Sequence, residues 1–148
     1  MGAALLLCLI VGITDGDTIK VRCGEPGAYQ QVTVRLAAID APEHRQPFGE
    51  VSRQHLAALC FEQQARITPR TRDRYGRMVA YVSCQGRDAG SDMVANGMAW
   101  VFDRYVTRAD AHLRGLQANA RAAHAGLWAD TSPVEPWAWR REGRPAGN

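Results

Sequence analysis

The segment "CLIVGITDGDTIKVRC", residues 8–23, limits the fold more than any other stretch. Two runs rich in β-branched and apolar residues flank Asp15-Gly16, a dipeptide suited to the tight turns that join antiparallel strands. With residues 14–17 as the turn, Ile13 faces Thr18, Val11 faces Lys20 and Cys8 faces Cys23. Opposed cross-strand side chains lie close enough for a disulfide. A Cys8–Cys23 bridge is therefore expected. Cys60 and Cys84 then pair by elimination, because the chain has 4 cysteines. The competing reading is four free buried thiols. No CxxC occurs and His112 and His124 lie far along the chain, which argues against zinc. Two disulfides imply an oxidising compartment, so a secreted or periplasmic location is expected.

The apolar N-terminal run is too short to span a bilayer, and it lacks a basic n-region and a clear cleavage site. Residues 5–13 read as the first strand, and the first few residues as the remnant of a leader, removed or truncated. No membrane association is expected.

The 148 residues suit one domain with a hydrophobic core. "QQVTVRLAAI", residues 30–39, alternates Val32, Val34, Leu36 and Ala38 against polar neighbours and reads as a strand. Residues 40–49 hold two prolines and a glycine and read as a loop. Residues 50–64 carry helical spacing. A short strand is expected over 66–69, a basic turn over 70–77 and a strand over 77–84. Residues 88–96 read as a short helix stopped by Gly97. Residues 98–105, apolar and aromatic, are expected to pack on the barrel. Residues 109–125 read as a helix with Leu113, Leu116 and Ala120 on one face and Gly126 as its stop. This gives a domain over 1–130 and a Pro/Trp/Arg-rich tail over 131–148, expected to be extended. Five short strands with three helices point to an α+β fold, a five-stranded OB-fold barrel with the helices packed outside.

Three clusters carry chemistry. "DGDT", residues 15–18, has one acid more than a turn needs, and the second, Asp17, sits at a strand edge. "IDAPE" sets Asp40 and Glu43 three residues apart across a proline-stiffened bend, able to turn both into one cleft. "DRYGR", residues 73–77, brings arginines and Tyr75 to a turn, where the plain reading is a solvated hairpin. Oxygen ligands without nearby His or Cys favour a hard cation such as Ca²⁺ or Mg²⁺. A remaining carboxylate can act as general base on water, and two arginines can clamp a phosphate. Such parts suit phosphodiester hydrolysis. Of 18 basic residues, Lys20 is the sole lysine. Arginine forks suit phosphate, although a preference for arginine codons would give the same bias.

In the order "DGDTIKV", "VRLAAIDAPE", "DRYGRMVAYV" and "NGMAWVFDRY", the chain resembles the thermonuclease, or staphylococcal nuclease-like, family over about residues 8 to 128. The resemblance implies an OB barrel with three helices. It also implies a Ca²⁺-dependent endonuclease on DNA and RNA that cuts the bond to the 5′ oxygen and leaves 3′-phosphate ends. It implies Asp17 and Asp40 as calcium carboxylates and the backbone carbonyl of Ala41 as a further ligand, where the family often has threonine. Glu43 matches the general base, Arg35 and Arg77 the phosphate arginines, and Tyr75 a tyrosine beside the nucleotide. Asp103 stands at the ungapped position of the family's stacking tyrosine, with Phe102 and Tyr105 close by, so Tyr105 is the expected substitute on the substrate. A monomer with no obligate protein partner is expected.

Two rival readings compete. A catalytically inactive nucleic-acid-binding OB module would be expected to lack one of Arg35, Glu43 and Arg77, and all three are present. A disulfide-stapled interaction domain would use "PWAWRR", residues 136–141, as a contact patch; the plainer reading folds Trp137 and Trp139 back on the barrel. One conflict stays open: strict alternation puts residues 35 and 40 on opposite faces, so a bulge or sharp twist must lie between them.

Overall fold

The computed structural model describes residues 5–142. Along the chain run β1 (Leu6–Asp15), β2 (Thr18–Cys23), β3 (Gln30–Leu36), β4 (Ile39–Asp40), α1 (Gly49–Cys60), β5 (Gln64–Arg72), β6 (Met78–Cys84), β7 (Arg87–Asp88), α2 (Ala89–Ala95), β8 (Trp100–Val101), α3 (His112–Ala122) and α4 (Pro136–Glu142). The order β3-β2-β1-β5-β6 is closed by a parallel β3–β6 pairing, giving a five-stranded barrel. Closure removes the open edges that would otherwise invite pairing with other chains. The fold is thus the expected α+β OB barrel, with four α-helices around it among the described residues.

Alternation fills the barrel. Cys8 and Ile10, Ile19 and Val21, Val34 and Leu36, Ala65 and Ile67, and Ala80 and Val82 all point inward and are buried. Burying each of the larger side chains stabilises by about 1.5–3 kcal/mol. α1 and α2 cap one end, contributing Leu56, Met93 and Val94 to the same core. No helix among the described residues is long and apolar enough to cross a membrane.

Both disulfides form as expected, Cys8–Cys23 and Cys60–Cys84. The hairpin register differs in its upper half. Gly12 faces Lys20, Ile13 faces Ile19 and Asp15 faces Thr18, with the turn at Gly16 and Asp17. The expected Ile13–Thr18 and Val11–Lys20 pairs are therefore absent. Register shifts lie between Ile10 and Gly12 and between Ile13 and Asp15, and they place two extra residues on β1. Those two residues compensate for a turn two residues shorter than expected, so Cys8 still meets Cys23.

Other boundaries move for local reasons. β5 is longer than the expected 66–69 because it runs through Pro69, with a register shift between Pro69 and Thr71. α1 ends at Cys60, followed by Glu62 in the left-handed region, φ 64°. α2 begins at Ala89, where Asp88 accepts from the Ser91 N–H at 2.9 Å. α3 begins at His112, because residues 108–110 form a separate 3-10 turn closed by Thr107 and Asp110.

The expectation of an extended tail is overturned. Pro136 opens α4, a position where proline's missing N–H costs nothing. Trp137 stacks on Phe102, with ring centroids 5.0 Å apart and planes 12° apart, and meets Trp100 edge-on at 5.9 Å. Val134 accepts from the Gln46 side chain at 2.6 Å. Trp137 therefore folds back on the barrel, as the plainer reading of "PWAWRR" held. The expectations for residues 1–4, the leader remnant, and for 143–148, the end of the tail, lie outside the described residues.

Candidate active site

Asp17 is carried by the β1–β2 turn and is buried. The turn presses on α1: a Cβ on Gly16 would sit 2.0 Å from Ser52 Oγ and 2.8 Å from the Ala41 Cβ. Only glycine permits that approach. Asp17 Oδ2 accepts from the Ala41 N–H at 2.7 Å, and Oδ1 accepts from the Thr18 hydroxyl at 2.7 Å. Two turns distant in sequence are thereby tied together at the metal-ligand candidates.

Between Arg35 and Asp40 the chain breaks from β3 into a turn at Ala37 and Ala38, with Ala38 at φ 65°. The chain leaves it into β4, which pairs with β8 as Ile39–Val101 and Asp40–Trp100. This turn, rather than a bulge within one strand, resets the alternation and resolves the conflict between residues 35 and 40. Arg35 then spans the break. Its Nη1 donates to the Ile39 carbonyl at 2.9 Å, its Nη2 donates to Asp40 Oδ1 at 3.2 Å, and Asp17 Oδ2 lies 3.7 Å from Nη1. Asp40 is fully buried. Asp17 and Asp40 thus share one guanidinium.

Glu43 lies in the loop that follows. Its N–H donates to Gln46 Oε1 at 3.0 Å, and a Cβ on Gly49 would fall 1.9 Å from its carbonyl oxygen. The first residue of α1 must therefore be glycine to keep that loop in place. The Glu43 side chain is 34% exposed. Arg77 comes from the β5–β6 loop. Asp73 organises that loop by accepting from the Tyr75 N–H, the Arg77 N–H and Arg77 Nε at 2.9, 2.9 and 2.7 Å. Tyr75 is exposed, with Arg77 over its ring at 5.5 Å. Tyr105 is exposed and edge-on to Phe102 at 4.9 Å. Asp103, in the same 3-10 turn, pairs with Arg114 at 3.1 Å.

A cavity of about 1130 Å³ gathers Asp17, Arg35, Asp40, Glu43, Tyr75, Arg77 and Tyr105 on its walls. Ala41 lies beneath the wall, buried, with its N–H on Asp17. Three residues not singled out as site groups also matter. Asp15, read as a turn acid, lines the cavity beside Asp17. Asp73 holds Arg77. Arg140, from α4, places Nη2 at 2.6 Å from Asp40 Oδ2 and Nη1 at 3.2 Å from Asp40 Oδ1, and Nη1 also donates to Glu43 Oε1. The doubled acid in "DGD" was a signal for Asp15. Arg140 had none, since it meets its partners across about 100 residues of chain.

The electrostatics follow from burial and crowding. Burial first, then the Asp17 carboxylate, push Asp15 up to about 8. Burial opposes ionisation of Asp17, yet Arg35, a hydrogen bond from Asp15 and those from Ala41 and Thr18 hold it at about 2. Burial raises Asp40 to about 6 despite its bond from Arg140. Four acids (Asp15, Asp17, Asp40 and Glu43) face two guanidiniums in contact with them, Arg35 and Arg140. All donors are hard oxygens, which fits a divalent cation of the Ca²⁺ or Mg²⁺ kind. Among the described residues no three such side chains yet converge as a complete cation cage.

Comparison with known proteins adds a family. The family model described as Staphylococcal nuclease homologue matches residues 33–130. The chain is 42% identical over 142 residues to Protein ParB of Escherichia coli, covering 90% of this chain and 78% of that protein. It is 40% identical over 148 residues to the Micrococcal nuclease of Shigella flexneri, covering 94% and 83%. It is 41% identical over 135 residues to an Uncharacterized endonuclease of Haemophilus influenzae, covering 91% and 73%.

Proposed function

The chain belongs to the staphylococcal nuclease homologue family and is a thermonuclease-like endonuclease, and from that premise we propose that it uses Ca²⁺ to hydrolyse both DNA and RNA to 3′-phosphate ends. The observation that carries this reading is Arg35 joining Asp17 and Asp40 beside Glu43 in one cavity. Asp17, Asp40 and the Ala41 carbonyl are the residues that would hold the cation. Once bound, it supplies Lewis acidity to a phosphate oxygen.

The remaining chemistry falls to the chain itself. Arg35 and Arg77 bind the phosphoryl oxygens and stabilise the charge that grows on them. Glu43, partly open to solvent, takes the proton from the attacking water. The new bond joins water oxygen to phosphorus and the bond to the 5′ oxygen breaks; that oxygen takes a proton from solvent, which leaves a 3′-phosphate and a 5′-hydroxyl. Tyr75 and Tyr105 flank the nucleotide, where exposed rings give stacking surfaces tolerant of sequence.

Under this proposal the chain acts as a monomer outside the cytoplasm, and the two disulfides support the oxidising compartment. Mapping the ends of cleaved single-stranded DNA and RNA tests the reading. The expected products are labelled by a 5′-kinase without prior dephosphorylation. Products carrying 5′-phosphate would overturn the proposed bond scission.

A further inference from the structure

The barrel positions Asp40 and Glu43, but a helix nearly 100 residues away covers them. α4 is fixed by the Phe102–Trp137 stack and by buried Pro136 and Ala138. From that anchored base Arg140 reaches over the site. It engages both oxygens of Asp40 and one of Glu43. Asp40 Oδ1 also accepts from Arg35. The Asp40 carboxylate is therefore covered by two guanidiniums, and the positive charge of Arg140 stands where a cation would approach it. The Arg140 side chain is 37% exposed, so its flexible stem can swing outward while α4 stays docked.

We infer that Arg140 is a displaceable counter-ion: it neutralises Asp40 and Glu43 in the cation-free protein, and a divalent cation must displace it to bind. This inference rests on the cation reading of the site. A divalent cation would crowd further positive charge beside Arg35 and Arg140 at one buried carboxylate, so it gains the site only by releasing Arg140. The residue thereby sets the cation affinity. It also keeps Asp40 and Glu43 from facing each other with Arg35 as their single counter-charge when no cation is present.

Calorimetric titration of Ca²⁺ into the full chain tests this without reference to activity. Arg140→Gln removes the charge and should tighten Ca²⁺ binding by about tenfold. Arg141→Gln, at the exposed neighbouring position, makes the same change in net charge and should leave binding near that of the unsubstituted chain. In chelator the Arg140→Gln protein should melt below the unsubstituted chain, and saturating Ca²⁺ should close that gap. Unchanged or weaker Ca²⁺ binding in Arg140→Gln overturns the inference, as does equal tightening in Arg141→Gln. If the unsubstituted chain and Arg140→Gln both bind no Ca²⁺, the cation reading fails and the inference with it. Should Arg140→Gln not fold, the Arg140 side-chain N–H resonance of the unsubstituted chain can be followed during the titration. A large shift is expected, and an unmoved resonance overturns the inference.

Discussion

Arg35 donates to Asp40 at 3.2 Å across five residues that leave one strand, turn through a left-handed alanine and enter another. Regular alternation would have kept the two apart. The turn at Ala37 and Ala38 thus creates the junction of guanidinium and carboxylate, and the same guanidinium lies 3.7 Å from Asp17. The catalytic assignments rest on that junction.

Glu43→Gln keeps shape and hydrogen bonding but cannot take a proton. Turnover of single-stranded DNA should fall by roughly 10²–10⁴-fold, with nucleotide binding largely retained. Rate measurement under saturating substrate checks this; a near-normal rate would remove Glu43 from the chemistry.

Arg77→Lys retains charge and loses the planar fork. Because Asp73 orients Arg77 through Nε, an ammonium also loses that alignment. A loss of at least about tenfold in kcat/KM is expected, since a point charge does not reproduce bidentate phosphate contact. Activity within twofold of normal would contradict a clamping role.

In chelator, stability should depend on pH through the half-buried Asp15 and the buried Asp17 and Asp40. Folded Asp15 keeps its proton up to about 8, whereas unfolded it releases near 3.8. The folded state then binds more protons across that window, so stability falls as pH rises from about 4 to 8. Asp40, raised to about 6, adds to the fall over its lower part. Asp17, held at about 2, acts in the opposite sense: its contribution is present above 3.8 and is lost as pH falls toward 2. Asp15→Asn removes the first penalty. Its melting midpoint in EDTA should exceed that of the unsubstituted chain by a few degrees at pH 8, on the scale of 2–4 °C per kcal/mol for chains of roughly this size, with the gap closing toward pH 4. A gap independent of pH would show that Asp15 does not titrate in this window.

Much of the fold was legible because burial leaves a period-two trace in strands. Ile19 and Val21, or Val34 and Leu36, announce their inward faces in sequence. The Cys8–Cys23 pairing was legible too, although two bulges and a shorter turn reached it by a different route. That Asp17, Arg35, Asp40, Glu43 and Arg77 line one cavity was legible from ordered motifs. The α4 helix was not: the three prolines and polar residues of the 131–148 tail suggest extension, and what folds the helix is the distant surface of Phe102 and Trp100. The role of Arg140 has no trace in sequence for the same reason, since nothing local marks a side chain whose partners belong to another loop.

The disulfides close loops of 15 and 24 residues. Replacing both Cys60 and Cys84 by alanine should cost about 3 kcal/mol in chemical denaturation, chiefly by freeing the unfolded chain. Peptide mapping without reductant should recover Cys8 linked to Cys23; a Cys8–Cys60 link would contradict the hairpin.

The most direct measurement is hydrolysis of a mixed single-stranded DNA and RNA substrate by the full chain, first in EDTA and then with excess Ca²⁺. Cleavage of both polymers should vanish in the chelator and return with Ca²⁺. Undiminished cleavage in EDTA would contradict a catalytic site built on a divalent cation at Asp17 and Asp40.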